Sequence, residues 1–178
     1  QEWKIARVTS LHKGASLTDP SNYRPILVLS VLSKVLEKLV FKQVYTYLTD
    51  NNLITECQHG FRPQHSTSTA LINVIEDLQS SVDNGHIVGV VTLDLEKAFD
   101  LMPQDILLKK LSFLGFHENA IEWFRQYFYM RKQVTTVNGN VSTMSTIESG
   151  VPQGSILGPL LFILTLNDLP KVVKRCKV

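Results

Sequence analysis

The stretch that decides the fold is HIVGVVTLD at residues 86–94. Its first eight residues form a nearly continuous run rich in β-branched side chains, which is typical of a strand covered on both faces. Asp94 follows at the end of this run. An ionised acid without a partner in an apolar setting is costly, so the stretch predicts a group that compensates the charge of Asp94.

Two kinds of partner are open for Asp94 on this reasoning. A divalent cation such as Mg²⁺ takes carboxylate oxygens and gathers phosphate as well. Alternatively, Asp94 is an N-cap or turn residue, or it pairs with Lys97 three residues further along the chain. For a single Asp after a strand, the structural role is the commoner of the two.

Helices are predicted on both sides of the strand. Apolar residues recur at a helical period from Leu27 to Leu48, with Lys34, Glu37, Lys38 and Lys42 on the other face. Further helices are predicted at residues 66–83, 103–113, 120–128 and 155–167. The third and fourth helices of the chain are expected to cover the strand.

A hairpin is predicted near residue 138. The runs 134–137 and 141 onward are rich in β-prone residues, and Asn138-Gly139 lies between them. Asn-Gly between two such runs is the strongest short-range signal for a tight hairpin. Helices, a buried strand and a hairpin together predict a chain of the α/β (α+β) class.

The composition is that of an ordinary globular domain. The 178 residues carry 18 basic and 16 acidic side chains, a formal net charge of +2, and 44% of them are hydrophobic. A chain of this length and composition can bury a sizeable core, which excludes a disordered tail. The small net charge favours neither the presence nor the absence of a nucleic-acid partner.

Cysteine use and hydrophobicity predict an intracellular protein without a membrane span. Cys57 and Cys176 cannot form the dense disulfide framework of a small secreted domain. The longest apolar stretch, residues 156–166, is interrupted by a Gly-Pro pair and is shorter than the ~20 residues of a spanning helix. The chain begins with Gln1 and has no signal-peptide pattern, and we interpret it as a fragment.

Four blocks of the sequence resemble the reverse transcriptases of non-LTR (LINE-type) retrotransposons. Two of them are signature blocks of that family, LDLEKAFD at 93–100 and GVPQGSILGP at 150–159. Two earlier blocks agree: NYRPI at 22–26 with LSKVLEK at 32–38, and QHGFRP at 58–63 with HST at 65–67. The blocks stand in family order and cover nearly the whole chain, so the match is far more specific than any single short pattern.

The resemblance implies a partial right-hand polymerase with helical fingers and an incomplete palm sheet. Residues 1–86 would form the fingers. Residues 87–178 would form the upstream palm, which holds the motif A strand, its covering helices, the hairpin and the motif B loop and helix. The implied function is RNA-directed DNA polymerisation, with an RNA template, a DNA primer and deoxynucleoside triphosphates as partners. The resemblance also implies a nuclear location for the parent element, no membrane association, and nothing about protein partners.

The resemblance assigns the metal site to motif A. Asp94 would be the first catalytic carboxylate of a site for two Mg²⁺ ions, and the backbone carbonyl of Leu95 would serve the second ion. In this chemistry the ions activate the primer 3′-hydroxyl and stabilise the pyrophosphate leaving group. The next block of the family carries an Asp-Asp pair, and no such pair occurs in this chain. We therefore expect the chain alone to lack polymerase activity.

Phe99 and Arg62 are assigned to the incoming nucleotide by motif position. Phe99 would lie under the sugar, where a rigid ring excludes the 2′-hydroxyl of a ribonucleotide. An isolated Phe is more often a core residue. Arg62 would bind the triphosphate, a task suited to a planar guanidinium. Its structural alternative is a surface Arg that covers Phe61.

In the loop that precedes the last long helix, the resemblance assigns Gln153 and Gly154 to the functional positions of the family's motif B. Glycine allows close approach of the backbone to a base pair, and Gln153 offers both a donor and an acceptor near the nascent pair. Outside the family context such a loop is more often a connector. Arg24 and Lys34 are weaker candidates for contact with a nucleic-acid backbone or a triphosphate, because most such basic residues are simply solvated.

Two other functions stay open. Such a chain could act as a non-catalytic nucleic-acid-binding or interaction module derived from the same kind of element, with Arg24, Arg62 and the basic C-terminal residues against phosphates. The third alternative is a degenerate reading frame whose product does not fold stably, because apolar palm surface is left uncovered.

Overall fold

Two strands begin the chain, four helices follow, and three further strands precede the last two helices. The computed structural model describes residues 2–12, 14, 16, 18–19, 22–137 and 139–176. The helices are α1 Val31–Asp50, α2 Thr67–Asp83, α3 Gln104–Phe113, α4 Glu118–Phe128, α5 Leu157–Leu166 and α6 Leu169–Val172, with a 3₁₀ turn at Glu2–Lys4. The strands are β1 Ile5–His12, β2 Tyr23–Val28, β3 Lys132–Val137, β4 Asn140–Val141 and β5 Ser145–Thr146.

The sheet is built around β1 and β3. Its strand order is β2-β1-β3-β4, and β5 also pairs with β3. The β1–β2 pair is antiparallel, whereas β1 and β3 are parallel. Alternate residues of a strand face opposite sides, so Ala6, Val8 and Leu27 lie on one face, where they form a small buried cluster with Leu29. Strands β1 and β2 were not predicted from the sequence.

The predicted hairpin is confirmed. Strands β3 and β4 pair with Thr136 opposite Val141 and Val137 opposite Asn140, which leaves two residues in the turn. Gly139 has a φ of +81°, the left-handed conformation that such tight turns require and that glycine adopts without strain. Asn138 lies outside the described residues.

The main core lies between the helices. Its fully buried side chains come from α1, α3, α4 and α5: Leu48, Leu107, Leu111, Phe124, Leu157, Leu160, Leu161 and Leu164. Helix α5 is apolar on almost every side, and a helix of that composition is stable only when it is surrounded. Because α1 and α3 pack against α5, and apolar side chains of α4 belong to the same core, α5 is the centre of the helical core.

The prediction of a buried strand at residues 86–93 is wrong for this structure. The segment is irregular, and Asp94 follows it in the same irregular stretch. Its side chains face solvent: Val91 is 84% exposed and Leu93 is 83% exposed. A strand forms only where a neighbouring strand completes its backbone hydrogen bonds, and none of the strands in the described ranges pairs with this segment.

Helix α1 differs from the prediction in its start and in its buried face. It begins at Val31 behind the N-cap Ser30 rather than at Leu27, because residues 23–28 pair with β1. In its first half the helix buries Ser33 and Glu37 and exposes the predicted apolar side. The exposed apolar side chains of that half are Val31, Leu32, Val35, Leu36 and Leu39.

The other predicted helices are present. Helix α2 starts with a capping box between Ser66 and Thr69, as the run of hydroxyl residues indicated, but none of its side chains is buried. Helix α3 packs against α5 and helix α4 packs against α3, within one hydrophobic core, instead of covering a strand at 86–93. Among the described residues, no helix is long and apolar enough to cross a membrane.

The structure has the mixed α/β architecture that the sequence predicts. Strands β1 and β2, from the predicted fingers, pair with β3, from the predicted palm. Helix α1 likewise packs against α5. The division of the chain at residue 86 stays a prediction.

Candidate functional site

Asp94 lies in the exposed segment between α2 and α3. The chain from residue 86 to residue 95 is irregular, and a turn at residues 96–100 follows. Within the described ranges Asp94 caps no helix and forms no ion pair with Lys97, and it lies two residues before the turn at 96–100. No group of three or more His, Cys, Asp or Glu that could hold a metal ion occurs in those ranges either.

The turn that follows Asp94 is bonded to the loop at residues 150–154. The N–H of Gly150 donates to the carbonyl oxygen of Met102 at 2.8 Å, and the N–H of Val151 donates to that of Phe99 at 2.8 Å. The Gln104 side chain donates to the Gly150 carbonyl at 2.9 Å. A Cβ on Gly150 would lie 2.4 Å from the Phe99 carbonyl oxygen, so only glycine fits this junction. The two signature blocks are therefore adjacent in space.

Phe99 packs against the core beside this junction. Its ring lies 5.0 Å from the ring of Phe162 on α5 and 6.0 Å from that of Phe61. Phe99 is half-buried, whereas Phe61 is largely exposed. Such ring contacts fix the orientation of the side chain. The structure thus places Phe99 next to the loop at 150–154 and gives it a packing role.

The same loop is bonded on its other side to strand β2. The N–H of Leu27 donates to the carbonyl oxygen of Gln153 at 2.9 Å. Gly154 has a φ of +108°, and a Cβ built on it would lie 2.7 Å from the Leu27 carbonyl oxygen. The loop therefore runs along β2, the edge strand of the sheet, at a distance that only glycine permits.

Gln153 carries a polar atom without a partner. Its side-chain oxygen Oε1 is buried and has no hydrogen-bond partner among the described residues. A buried acceptor without a donor costs about 1 to 3 kcal/mol. Such a group is found in native proteins mainly where a ligand or water completes it.

Glu37 binds the start of helix α5. Its Oε2 accepts the N–H of Ile156 at 2.7 Å and that of Leu157 at 3.4 Å, and its Oε1 accepts the hydroxyl of Tyr127 at 3.0 Å. The first N–H groups of a helix have no partner within the helix, and the N-cap residue Ile156 makes no side-chain capping hydrogen bond. Glu37, which is 1% exposed, supplies that cap from α1.

Arg131 places a positive charge beside the carboxylate of Glu37. Its Nη2 lies 4.0 Å from Oε1 of Glu37, and its Nε donates to the Tyr127 carbonyl at 2.7 Å. Its guanidinium carbon lies 4.1 Å from the centre of the Tyr127 ring. Burial raises the pKa of the Tyr127 hydroxyl, so Tyr127 stays protonated and acts as the donor to Glu37.

Arg62 shapes the loop between α1 and α2. Its Nη1 donates to the carbonyl oxygens of Thr55 and Gln58, both at 3.0 Å, while its Nε is buried without a partner in the part of the chain described. The guanidinium is thus half-buried and bound to backbone rather than spread over Phe61. Its remaining donors are the part of the side chain that could meet a phosphate.

Arg24 lies on strand β2 and Lys34 lies in the first turn of helix α1. Arg24 is exposed on β2, opposite Leu11 of β1. Lys34 is half-buried in the first turn of α1. The structure places Arg24 on the strand that contacts the loop at 150–154, and it shows no contact of Lys34 with that loop.

Asp100 is the titratable group at the junction. Burial raises the pKa of its carboxyl above the ordinary value, and the charge of Lys97 opposes that shift. The hydroxyl of Ser149 donates to the Asp100 backbone carbonyl at 3.1 Å. Asp100 therefore adds a further link between the two segments through its backbone.

Sequence reasoning missed the group formed by Glu37, Tyr127 and Arg131. A signal was present, because Glu37 shares a helical face with Val44 and Leu48, seven and eleven residues further on. On an α-helix such spacings fall on one side. A charged residue on a face that is otherwise buried indicates a specific partner.

This arrangement belongs to a known class of fold. The family described as "Reverse transcriptase (RNA-dependent DNA polymerase)" matches residues 11–178, so the chain belongs to the reverse transcriptase family. A solved structure of apo telomerase from Candida tropicalis has the same fold, with a TM-score of 0.58 over 92% of this chain and 38% of the telomerase chain, at 14% identity. The predicted fold class, a partial right-hand polymerase, is confirmed.

The relatives are polymerases of non-LTR retrotransposons, as the resemblance implied. The chain is 32% identical over 171 residues to the protein named "Probable RNA-directed DNA polymerase from transposon BS" of Drosophila melanogaster. It is 32% identical over 169 residues to the RNA-directed DNA polymerase from the mobile element jockey of the same species. These matches cover 96% and 94% of this chain but only 19% and 18% of the two relatives.

Proposed function

We propose that this chain is the part of a non-LTR retrotransposon polymerase that holds the nascent base pair during RNA-directed DNA synthesis. The observation that carries the proposal is the position of the loop at 150–154. It is bonded on one side to the turn after Asp94 and on the other to strand β2. A loop held from both sides offers a rigid surface for a base pair, and rigid placement is what polymerisation demands of the protein.

The residues of the loop have the chemistry for this task. Gly154 brings the backbone close to its neighbours, and Gln153 has a buried oxygen without a donor. In the proposed complex a base or sugar donor completes Gln153. Phe99, beside the loop, borders the sugar and excludes a 2′-hydroxyl, and the free donors of Arg62 meet the triphosphate. Arg24 on β2 and Lys34 on α1 contact the nucleic-acid backbone.

The metal site is proposed only in part. Asp94 would hold one carboxylate and Leu95 one backbone carbonyl toward a pair of Mg²⁺ ions, and such a pair would supply Lewis-acid stabilisation for nucleotidyl transfer. The described residues do not by themselves fit a two-metal site, because they hold no cluster of acidic ligands. Further carboxylates would have to complete it. We propose a nuclear location for such a polymerase.

A binding experiment tests the proposal on the chain itself. A fluorescent RNA template with a recessed DNA primer is titrated with the chain in Mg²⁺ buffer, with the complementary or a non-complementary deoxynucleoside triphosphate present. We expect the complementary nucleotide to tighten binding of the hybrid at least about tenfold relative to the non-complementary one. Binding that ignores the nucleotide would contradict the proposal.

A non-catalytic nucleic-acid-binding module is the second candidate. It is favoured by the exposed, unclustered position of Asp94 within the described residues. On this account the hybrid binds through phosphate contacts alone. Affinity would fall steeply with rising salt, would survive Asp94→Ala, and would be the same with either nucleotide.

A further inference from the structure

Helix α1 reaches the loop at 150–154 through a single buried carboxylate. Glu37 accepts the N–H groups of Ile156 and Leu157, the residues directly behind the loop. The hydroxyl of Ser155 accepts the next N–H, that of Gly158, at 2.9 Å. The helix start is thus fixed from α1 and not only from within the loop.

Among the described residues, three segments bind the loop or the residue directly behind it: residues 99–104, which include the Gln104 side chain, strand β2, and Glu37 of α1. The turn after Asp94 binds Gly150 and Val151, and β2 binds Gln153. Glu37 binds the third point, where the loop becomes helix α5. Only this third attachment carries charge, and hydrogen bonds to a charged acceptor are about twice as strong as neutral ones.

The burial of Glu37 indicates that its contact with the start of α5 has a specific structural role. An ionised carboxylate that is 1% exposed is costly unless it is paired and hydrogen-bonded. Here Tyr127 donates to it, Arg131 lies beside it, and the positive end of the α5 dipole faces it. The Tyr127 hydroxyl also interacts with the side chain of Ser155, directly behind the loop, and Arg131 contacts both Glu37 and Tyr127, so both residues help to hold the Glu37 carboxylate in place.

We propose that Glu37 is a positioning residue, which holds Gln153 and Gly154 in register with the nascent base pair by accepting the Ile156 N–H. The proposal rests on the proposed function, because it names a further determinant of the same site. Glu37 touches neither substrate nor metal. By fixing the backbone at Ile156, Glu37 limits the movement of Gln153, which is three residues earlier in the chain. Strand β2 fixes Gln153 from the other side.

Two charge-balanced variants isolate this role. Glu37→Leu with Arg131→Met replaces the ion pair by apolar side chains of similar size, an exchange that is often neutral for stability. Glu37→Gln with Arg131→Met also removes both charges but keeps an oxygen that can accept the Ile156 N–H. The two double variants therefore differ in the side-chain amide, whose oxygen can accept the Ile156 N–H and whose NH₂ group can donate to the Tyr127 oxygen. Glu118→Ala, an exposed acid on α4, is the control for the loss of a surface charge.

The readout is the ratio of hybrid affinities with the complementary and the non-complementary nucleotide, together with hydrogen exchange at the Ile156 amide. The ratio does not depend on the folded fraction, so a merely structural role would not change it. We expect the Leu variant to lose at least about tenfold in the ratio and to exchange Ile156 faster, while the Gln variant keeps the ratio within about threefold of the parent. Hybrid affinity without nucleotide should be similar in all of them.

The possible failures are distinct. If the parent chain shows no preference for the complementary nucleotide, the proposed function fails and this inference fails with it. If the parent shows the preference and the Leu variant keeps it, the proposed function stands and the role of Glu37 is overturned. Equal losses in the Leu and Gln variants would also overturn it, because the acceptor that only the Gln variant keeps would then make no difference.

Discussion

Gly154 lies against the backbone of Leu27: a Cβ at position 154 would be 2.7 Å from the Leu27 carbonyl oxygen. The same pair of segments is joined by the hydrogen bond from the Leu27 N–H to the Gln153 carbonyl. The neighbour at Gly154 is backbone and cannot turn aside as a flexible side chain could. Strand β2 and the loop can therefore pack this closely only because residue 154 is a glycine and has no Cβ.

Gly154→Ala should destabilise the chain by about 2 to 4 kcal/mol. The substitution adds the cost of a positive φ in an L-residue to the clash with Leu27. Chemical denaturation of the two proteins measures the difference. Gly89→Ala is the matched control, because no atom lies within 4 Å of a Cβ at Gly89, and it should change stability by less than about 1 kcal/mol. Equal effects of the two variants would contradict the close contact.

Tyr127→Phe should cost about 1 to 3 kcal/mol of unfolding free energy. The change removes the hydroxyl donor of Glu37 and leaves a buried carboxylate oxygen with one partner fewer. Tyr129→Phe removes a hydroxyl from a mostly exposed ring and serves as the control. Denaturation of both variants decides the point, and a Tyr127→Phe protein as stable as its control would show that the hydrogen bond to Glu37 is unimportant.

Asp100→Asn should stabilise the chain at neutral pH but not in acid. Burial raises the pKa of Asp100 in the folded chain, so the folded state holds the proton more tightly than the unfolded state, and ionisation weakens the fold. That penalty is absent below the pKa of the unfolded state and is complete above the raised pKa. Thermal unfolding should therefore show a higher midpoint for the Asn variant at pH 7 and no difference near pH 3.

Glu76→Gln is the control for this pH experiment. Glu76 is an exposed carboxyl on α2, and its replacement should not reproduce the gain seen for Asp100→Asn. A midpoint for Asp100→Asn that falls at pH 7, or that differs from the parent by the same amount at both pH values, would show that burial does not govern this carboxyl.

Local signals explain which parts of the fold could be predicted. The hydroxyl run before α2 and the Asn-Gly pair between β3 and β4 act within a few residues, and both elements are present. The strand predicted at 86–93 is not formed, because its existence depends on a neighbouring strand rather than on its own residues. The start of α1 was misjudged for the same reason, since β1 draws residues 23–28 into the sheet.

The sequence predicted the motifs of the candidate site but not the contacts that hold them together. The blocks around Asp94 and Gln153 could be recognised in the sequence, and the structure brings the turn at Phe99 together with the loop at Val151. The role of Glu37 depends on a contact with a residue 119 positions away. Helical periodicity reports only that a face is buried and does not say against which partner.

Primer extension on an RNA template tests the central claim most directly. This chain replaces its matching segment in the jockey polymerase, and the chimera is compared with the same chimera carrying Asp94→Asn. We predict that Asp94→Asn lowers the extension rate at least about a thousandfold while hybrid binding persists, and that Glu96→Gln, two residues further on, leaves the rate nearly unchanged. Extension at the full rate by the Asp94→Asn chimera would contradict the account.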